Sequence, residues 1–282
     1  MHRIFIYLCL LFPEIVLSQN LLSGKVSSLE GEVLEYASIE YLNSPIGVIS
    51  NSKGEFSLHK IPGDSILISA VGFIPLIIKI DSSTSFIQAS LIKNYQLLST
   101  IVVKNKPSSK ILHVEMGHYS KKDDYWALFG HKQRSAVYIP NSKKIIGNIE
   151  TIKFKLADFK KSNYLLRIRL VSVDTITGFP DKDLLLEDNI LKPSAFRHIN
   201  RFSIKTKYIQ LPQEGIFVSF EWLPLSGDLS TEENPPHVLG NTKADDFYMF
   251  TNYKGTGWHK SIWRFAGSDS IGVPNISIIV AY

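Results

Sequence analysis

The chain has 282 residues, of which 44% are hydrophobic, 20% charged and 11% aromatic, and its mean hydropathy is +0.04. That balance is too apolar for a disordered chain and too evenly mixed for a bundle of membrane helices. The net charge of +5 is spread along the chain with no arginine-rich run and no basic helix with interleaved aromatics, so a nucleic-acid partner is not expected. The length suits two ordinary domains, each able to bury its own core.

Residues 1–18 read as a secretory signal. His2 and Arg3 form a short positive start, Ile4 to Phe12 an apolar run, and Val16 and Ser18 the small-residue cleavage positions, so the mature chain begins at Gln19. No later stretch is long and apolar enough for a transmembrane helix. Cys9, the one cysteine, lies inside the signal behind Leu8, which is not the small residue a lipid-anchoring cysteine needs. The mature chain then has no disulfide, thiolate nucleophile or cysteine-ligated zinc. Loss of Arg3 and Glu14 with the signal leaves the net charge unchanged.

From Leu22 to Val103, short alternating segments are punctuated by turn residues, the pattern of an all-β body. In Ala37-Ser38-Ile39-Glu40-Tyr41 the odd positions share one face and Ser38 and Glu40 the other, as a half-buried strand requires. Lys53-Gly54 ahead of Glu55-Phe56-Ser57-Leu58 predicts a hairpin, because glycine tolerates positive φ.

The ordered series Gly24-Lys25-Val26, Ala37-Ser38-Ile39, Gly47-Val48-Ile49-Ser50-Asn51, Lys53-Gly54-Glu55-Phe56, Ile61-Pro62-Gly63-Asp64 and Ile68-Ser69-Ala70-Val71-Gly72-Phe73 resembles the carboxypeptidase-regulatory-like domain, a small transthyretin-like β-sandwich. Ser50-Asn51 stands where that family often has Thr-Asp, and Phe73 where it often has Tyr. The resemblance implies a folding and docking module without catalytic residues. It also implies an exported protein of a Gram-negative bacterium, held in the periplasm or at the outer membrane. A TonB-dependent receptor would need a plug and a long barrel after it, for which the remaining residues are too few.

Lys104 to Ser109, polar and containing Pro107, marks a boundary, giving residues 19–104 as the first sandwich, 105–110 as linker and 111–282 as a second β-domain. In the second, Leu166, Ile168 and Leu170 alternate with Arg167 and Arg169, while Ile216, Val218, Phe220 and Trp222 line one side of their strand. The last strand places Ile276, Ile278, Val280 and Tyr282 on one face. About eight strands are expected, arranged as a sandwich or jelly roll. A small membrane barrel fits less well, since most strands are short and prolines from Pro180 to Pro274 interrupt them. This second part resembles C-terminal regions of unassigned function that accompany the same N-terminal domain.

Chemistry-bearing patterns are sparse. His113, Glu115 and His118 invite a metal reading, but on a strand His118 faces away from the other two, so no metal ligand is assigned. No G-x-S-x-G, H-E-x-x-H or phosphate loop is present, and no catalytic residue or cofactor is expected. Glu115, Asp174, Glu221, Asp245 and Asp246 are the acids available to a carboxylate-dependent hydrolase, though each reads as a turn or solvated strand position. Phe247 and Met249 read as core. Tyr253, Trp258 and Trp263 lie near Gly255, Gly257 and Gly267 and are the candidate ligand-binding rings, with Asp245, Asp246, Asn252 and Lys254 as groups that could supply hydrogen bonds. Asn275-Ile276-Ser277 matches a glycosylation sequon inside a predicted strand. The leading expectation is a non-enzymatic envelope protein that docks to a protein partner or a glycan, with carbohydrate binding and hydrolysis as alternatives.

Overall fold

Alternation of apolar and polar residues is realised as strands throughout the computed structural model, which describes residues 21–44, 46–94, 111–120, 125–128, 133–157, 164–185, 188–191, 199–224, 237–243, 249–253, 257–262 and 271–282. Among these residues every regular element is a strand. Residues 1–18, expected to be a signal, residues 105–110, expected to be a linker, and Trp263 lie outside them.

Eight strands precede residue 95: β1 (Leu21–Ser28), β2 (Ser38–Tyr41), β3 (Gly47–Ile49), β4 (Glu55–His59), β5 (Ser65–Ser69), β6 (Phe73–Ile74), β7 (Leu76–Lys79) and β8 (Phe86–Lys93). They form two four-stranded sheets, ordered β4-β1-β8-β6 and β3-β2-β5-β7. Leu22, Val26, Phe56, Leu58, Ile87 and Leu91 from the first meet Ile39, Tyr41, Ile66 and Ile68 from the second in one buried cluster, so the sheets face each other. The pairing is antiparallel except that β1 runs parallel to β8, with Ser23 opposite Phe86 and Val26 opposite Ala89.

The segment around Lys53-Gly54 is a turn but not a hairpin. Asn51 Oδ1 accepts the Lys53 and Glu55 amides at 2.9 and 3.0 Å, and Gly54 takes φ +75. The strands on either side belong to different sheets, because β3 pairs with β2 while β4 pairs with β1. Local turn chemistry set the reversal, and the partner of each strand was decided by the core. Ser50 anchors the entry to this turn, accepting the Ala37 amide and donating to the Leu34 carbonyl at 2.6 Å.

Fourteen strands follow residue 110, well above the eight expected: β9 (His113–Gly117), β10 (Tyr125–Leu128), β11 (Gln133–Ile139), β12 (Asn148–Ala157), β13 (Tyr164–Val173), β14 (Pro180–Asp183), β15 (Asn189–Leu191), β16 (Ile199–Gln210), β17 (Ile216–Pro224), β18 (His237–Lys243), β19 (Met249–Tyr253), β20 (Trp258–Ser261), β21 (Ile271–Pro274) and β22 (Ile276–Ala281). The count was low because several strands are short or begin at a proline. One seven-stranded sheet runs β10-β18-β12-β22-β9 with β16 and β21 attached, the other β14-β13-β17-β11-β19-β20 with β15 attached. Ile152, Phe154, Ile276, Ile278 and Val280 from the first pack on Val137, Leu166, Ile168, Val218, Phe220 and Trp222 from the second. The inward sets expected for β13, β17 and β22 are these residues, except that β22 ends before Tyr282, which is half exposed. Both bodies are therefore stacked sheets, and no strand before residue 95 joins a sheet of the later ones.

Gly24 shows how tightly the smaller body closes. A Cβ there would lie 2.4 Å from both the Ile87 carbonyl oxygen and the Phe56 ring. Gly24→Ala is expected to cost about 1–3 kcal/mol, the usual range for overpacking, read as a lowered urea midpoint at unchanged slope.

Candidate functional site

The outward face of the β13-β17-β11 sheet carries charge where a solvated face was expected. Arg167 lies opposite Glu221, and Glu221 opposite Arg134, so three neighbouring strands place cation, anion and cation in one row. Arg167 is fully buried and Glu221 is 4% exposed. Arg167 Nη1 donates to Glu221 Oε1 at 3.0 Å and its Nη2 to Asp188 Oδ2 at 3.0 Å, while its Nε is in ion-pair contact with Asp188 Oδ1 at 3.0 Å. Arg134 Nε lies 3.5 Å from Glu221 Oε2, and Arg169 Nη2 is 3.7 Å from Glu221 Oε1 with its Nη1 3.4 Å from Asp183. Glu221 is thus the hub of three guanidinium groups. The reading of Arg167, Arg169 and Glu221 as solvated strand positions is corrected: hydropathy reports that a residue is polar, not whether a distant strand covers it.

Burial shapes the acidity of this lattice. Desolvation pushes the Arg134 guanidinium down, but Glu221, Glu40 and Asp183 outweigh it and hold the pKa above the ordinary arginine value. Arg169 goes the other way, lowered by desolvation and then by Arg167 and Arg134 beside it. Asp183 is raised, again chiefly by desolvation.

What covers the lattice is the smaller body. Tyr36, in the turn that feeds β2, turns its carbonyl to Arg167 Nη2, and Glu40, near the far end of β2, places Oε1 3.7 Å from Arg134 Nη2. Since β17 lies between β13 and β11, β2 runs across three strands of the larger body. Tyr36 holds φ 59, a left-handed conformation uncommon for a residue with a side chain. Ile49 joins Leu165 and Leu223 in a buried cluster against which Tyr36 and Ile190 pack, and Val71 reaches the main core of the larger body. The burial of Ser38, on the face opposite Ile39, has the same cause.

Beyond that footprint the same face becomes aromatic. Phe217 and Phe250 are buried with ring centroids 5.1 Å apart, edge to face, and Phe179 meets Phe250 at 4.9 Å. Tyr138, Phe179 and Trp258 are partly buried against this cluster. In register, the row through Arg134 continues to Asn252 on β19 and then to Trp258 on β20. Trp258 is therefore a ring fixed from below, with an amide as its cross-strand neighbour and exposed Lys260 opposite Phe250. Of the other ring candidates, Tyr253 ends β19 with its backbone opposite Gln133. Trp263 lies outside the described residues, as do Phe247, Asp245 and Asp246. Met249 is core, as expected. Asn252, expected as a hydrogen-bonding group for these rings, is placed directly opposite Trp258, while Lys254 lies outside the described residues.

The remaining polar candidates are held in place by neighbours. Glu115 Oε2 accepts from Lys153 Nζ at 2.8 Å and Oε1 from Ser277 Oγ at 2.6 Å. His113 Nε2 is 3.0 Å from Glu150, and His118 Nε2 3.3 Å from the Tyr138 carbonyl. No group of three metal-ligating side chains occurs among the described residues. Asp174 accepts the Thr177 hydroxyl at 2.6 Å and the Ile176 amide at 2.9 Å, which hold its carboxyl below the usual range. Asn275 is fully buried and accepts the Ser120 amide, so the sequon is a structural coincidence.

No protein-family profile and no curated protein matches the chain. Among solved structures, similarity is found to one described as a "putative carbohydrate binding protein" from Bacteroides uniformis, at 9% identity and a TM-score of 0.23, over 94% of this chain and 98% of that one.

Arg167→Met would leave Glu221 and Asp188 short of a buried counter-charge. It is expected to cost about 3–5 kcal/mol, measured by urea unfolding, with Arg167→Lys recovering only part because one ammonium does not reproduce the planar guanidinium donors that reach Glu221, Asp188 and the Tyr36 carbonyl. For Glu115, burial pushes the carboxyl up, but Lys153 and Ser277 outweigh it and hold the pKa below 4.5. Its contribution is therefore present above pH 4.5 and lost as pH falls through the lowered value. The stability gap between the parent and Glu115→Gln should be open at pH 7 and close on acidification, as followed by thermal melts.

Proposed function

We propose that the chain is an exported, non-catalytic binding protein of a Gram-negative cell envelope. In this reading a carboxypeptidase-regulatory-like sandwich of residues 19–104 is mounted on a larger binding body of residues 111–282. The observation that carries it is Trp258, a ring partly buried against the cluster that contains Phe250 and Phe217, with Asn252 directly across the strand pair. A ring already fixed in place loses little freedom when a flat apolar face stacks on it, and a neighbouring amide can donate to or accept from hydroxyl groups. A sugar ring offers both surfaces, so an envelope glycan is the ligand class this arrangement fits.

The carboxylates support a binding role over hydrolysis. Glu221, Glu115 and Asp174 are each engaged by cations or hydrogen-bond donors, and the donors at Glu115 and Asp174 favour the ionised form. A general acid needs the opposite tuning.

A second reading, docking to a protein, is favoured by the outer face of the β4-β1-β8-β6 sheet. There Phe86 is 60% exposed opposite Ser23, with Gln88 and Ser90 farther along the same strand face.

The test is affinity electrophoresis or calorimetry of the mature chain against envelope polysaccharides. Trp258→Ala is expected to weaken binding about threefold to tenfold, the equivalent of about 0.5–1.5 kcal/mol of ring stacking. Undiminished binding by that variant would move the ligand elsewhere. Release of reducing ends from the polysaccharide would replace the binding reading with hydrolysis.

A further inference from the structure

Strands with one wet face show a simple burial alternation, and β4 and β8 do so. The strands at the junction do not: β3 is buried at every position, β2 is buried at all but Glu40, and β13 is buried over its first eight residues. Each therefore has both faces covered, one by its own sandwich and the other by the opposing body. The footprints match residue by residue. Tyr36 meets Arg167, Glu40 meets Arg134, and Ile49 meets Leu165 and Leu223, while Val71 enters the larger body's core.

The polar groups that meet across the junction are also complementary pair by pair. Without the smaller body, Arg134, Arg167 and Arg169 balance Glu221, Asp183 and Asp188. Docking adds the Glu40 carboxylate against Arg134 and a backbone carbonyl against Arg167. Two of the three guanidinium groups thus receive an acceptor from across the junction, and desolvated contacts of this kind discriminate strongly against a misplaced partner.

We infer that the two bodies are a self-complementing pair: the surface recognised by β2, β3 and the turn that feeds β2 is the charged row of β13, β17 and β11, and this contact holds without the covalent connection. The smaller body is then an intramolecular ligand of the larger one, and the outer face of its β4-β1-β8-β6 sheet stays outside the contact.

The experiment uses the full mature chain with a specific protease site inserted at Pro107, cleaved after folding. Size-exclusion chromatography of the nicked protein at about 10 µM should return both fragments in one peak, as a Kd in the micromolar range or tighter requires. Elution as two species, or loss of one fragment from solution, overturns the inference. In the same background Glu40→Arg, which opposes Arg134 with a like charge, is expected to weaken co-elution at least tenfold. Glu55→Arg, exposed on the outer face of β4, should leave it unchanged. Equal behaviour of the two variants would show that β2 is not seated on the charged row and would also overturn the inference.

Discussion

Glu221 is the residue on which the arrangement turns. It sits at the middle of a strand whose other face is the core of the larger body, so it cannot move toward water without withdrawing Phe220 and Trp222. Three guanidinium groups converge on it. A buried carboxylate of this kind adds little net stability compared with a well-packed apolar residue, yet removing a partner is costly. Its contribution is geometric: the lattice accepts a neighbour only where a carboxylate reaches Arg134 and a carbonyl reaches Arg167, and Glu40 of β2 and Tyr36 in the turn ahead of it supply them.

The same face serves two ends. Near β13 it is covered and charged; toward β20 it is aromatic and open to solvent at its rim. The register Arg167, Glu221, Arg134, Asn252, Trp258 links the two regions in one row across five strands. A row of paired strands is stiff along its hydrogen-bonding direction, so the ring at one end has a fixed position relative to the junction at the other.

Much of the fold was legible because period-two hydropathy is local. Leu166, Ile168 and Leu170, or Ile216 to Trp222, declare their inward face within a few residues. Their outward partners do not. Arg167 and Glu221 are 54 positions apart, and Glu40 and Arg134 farther still, so nothing near Arg167 distinguishes a covered guanidinium from a wet one. A weak signal existed: Leu165 and Val171 flank the arginines on the outward face, and apolar neighbours there mark a strand with no wet side. The Lys53-Gly54 turn was visible as a turn, while the sheet each flank would join depended on β1 and β2. For the candidate site, Trp258 stood out by its aromatic character and nearby glycines. Asn252 was legible as a polar neighbour of the aromatic stretch, but its place opposite Trp258 comes from strand pairing.

The parallel contact of β1 with β8 sets an order of events in biogenesis. The first strand of the smaller body lies between β4 and β8, and β8 is the last strand to be made. Chain closure over such a separation is slow compared with a hairpin, and neither sheet face is sealed until residues near Lys93 arrive. A nascent chain emerging from its amino terminus therefore stays pliable through most of this segment and gains its final shape only when the whole module is available.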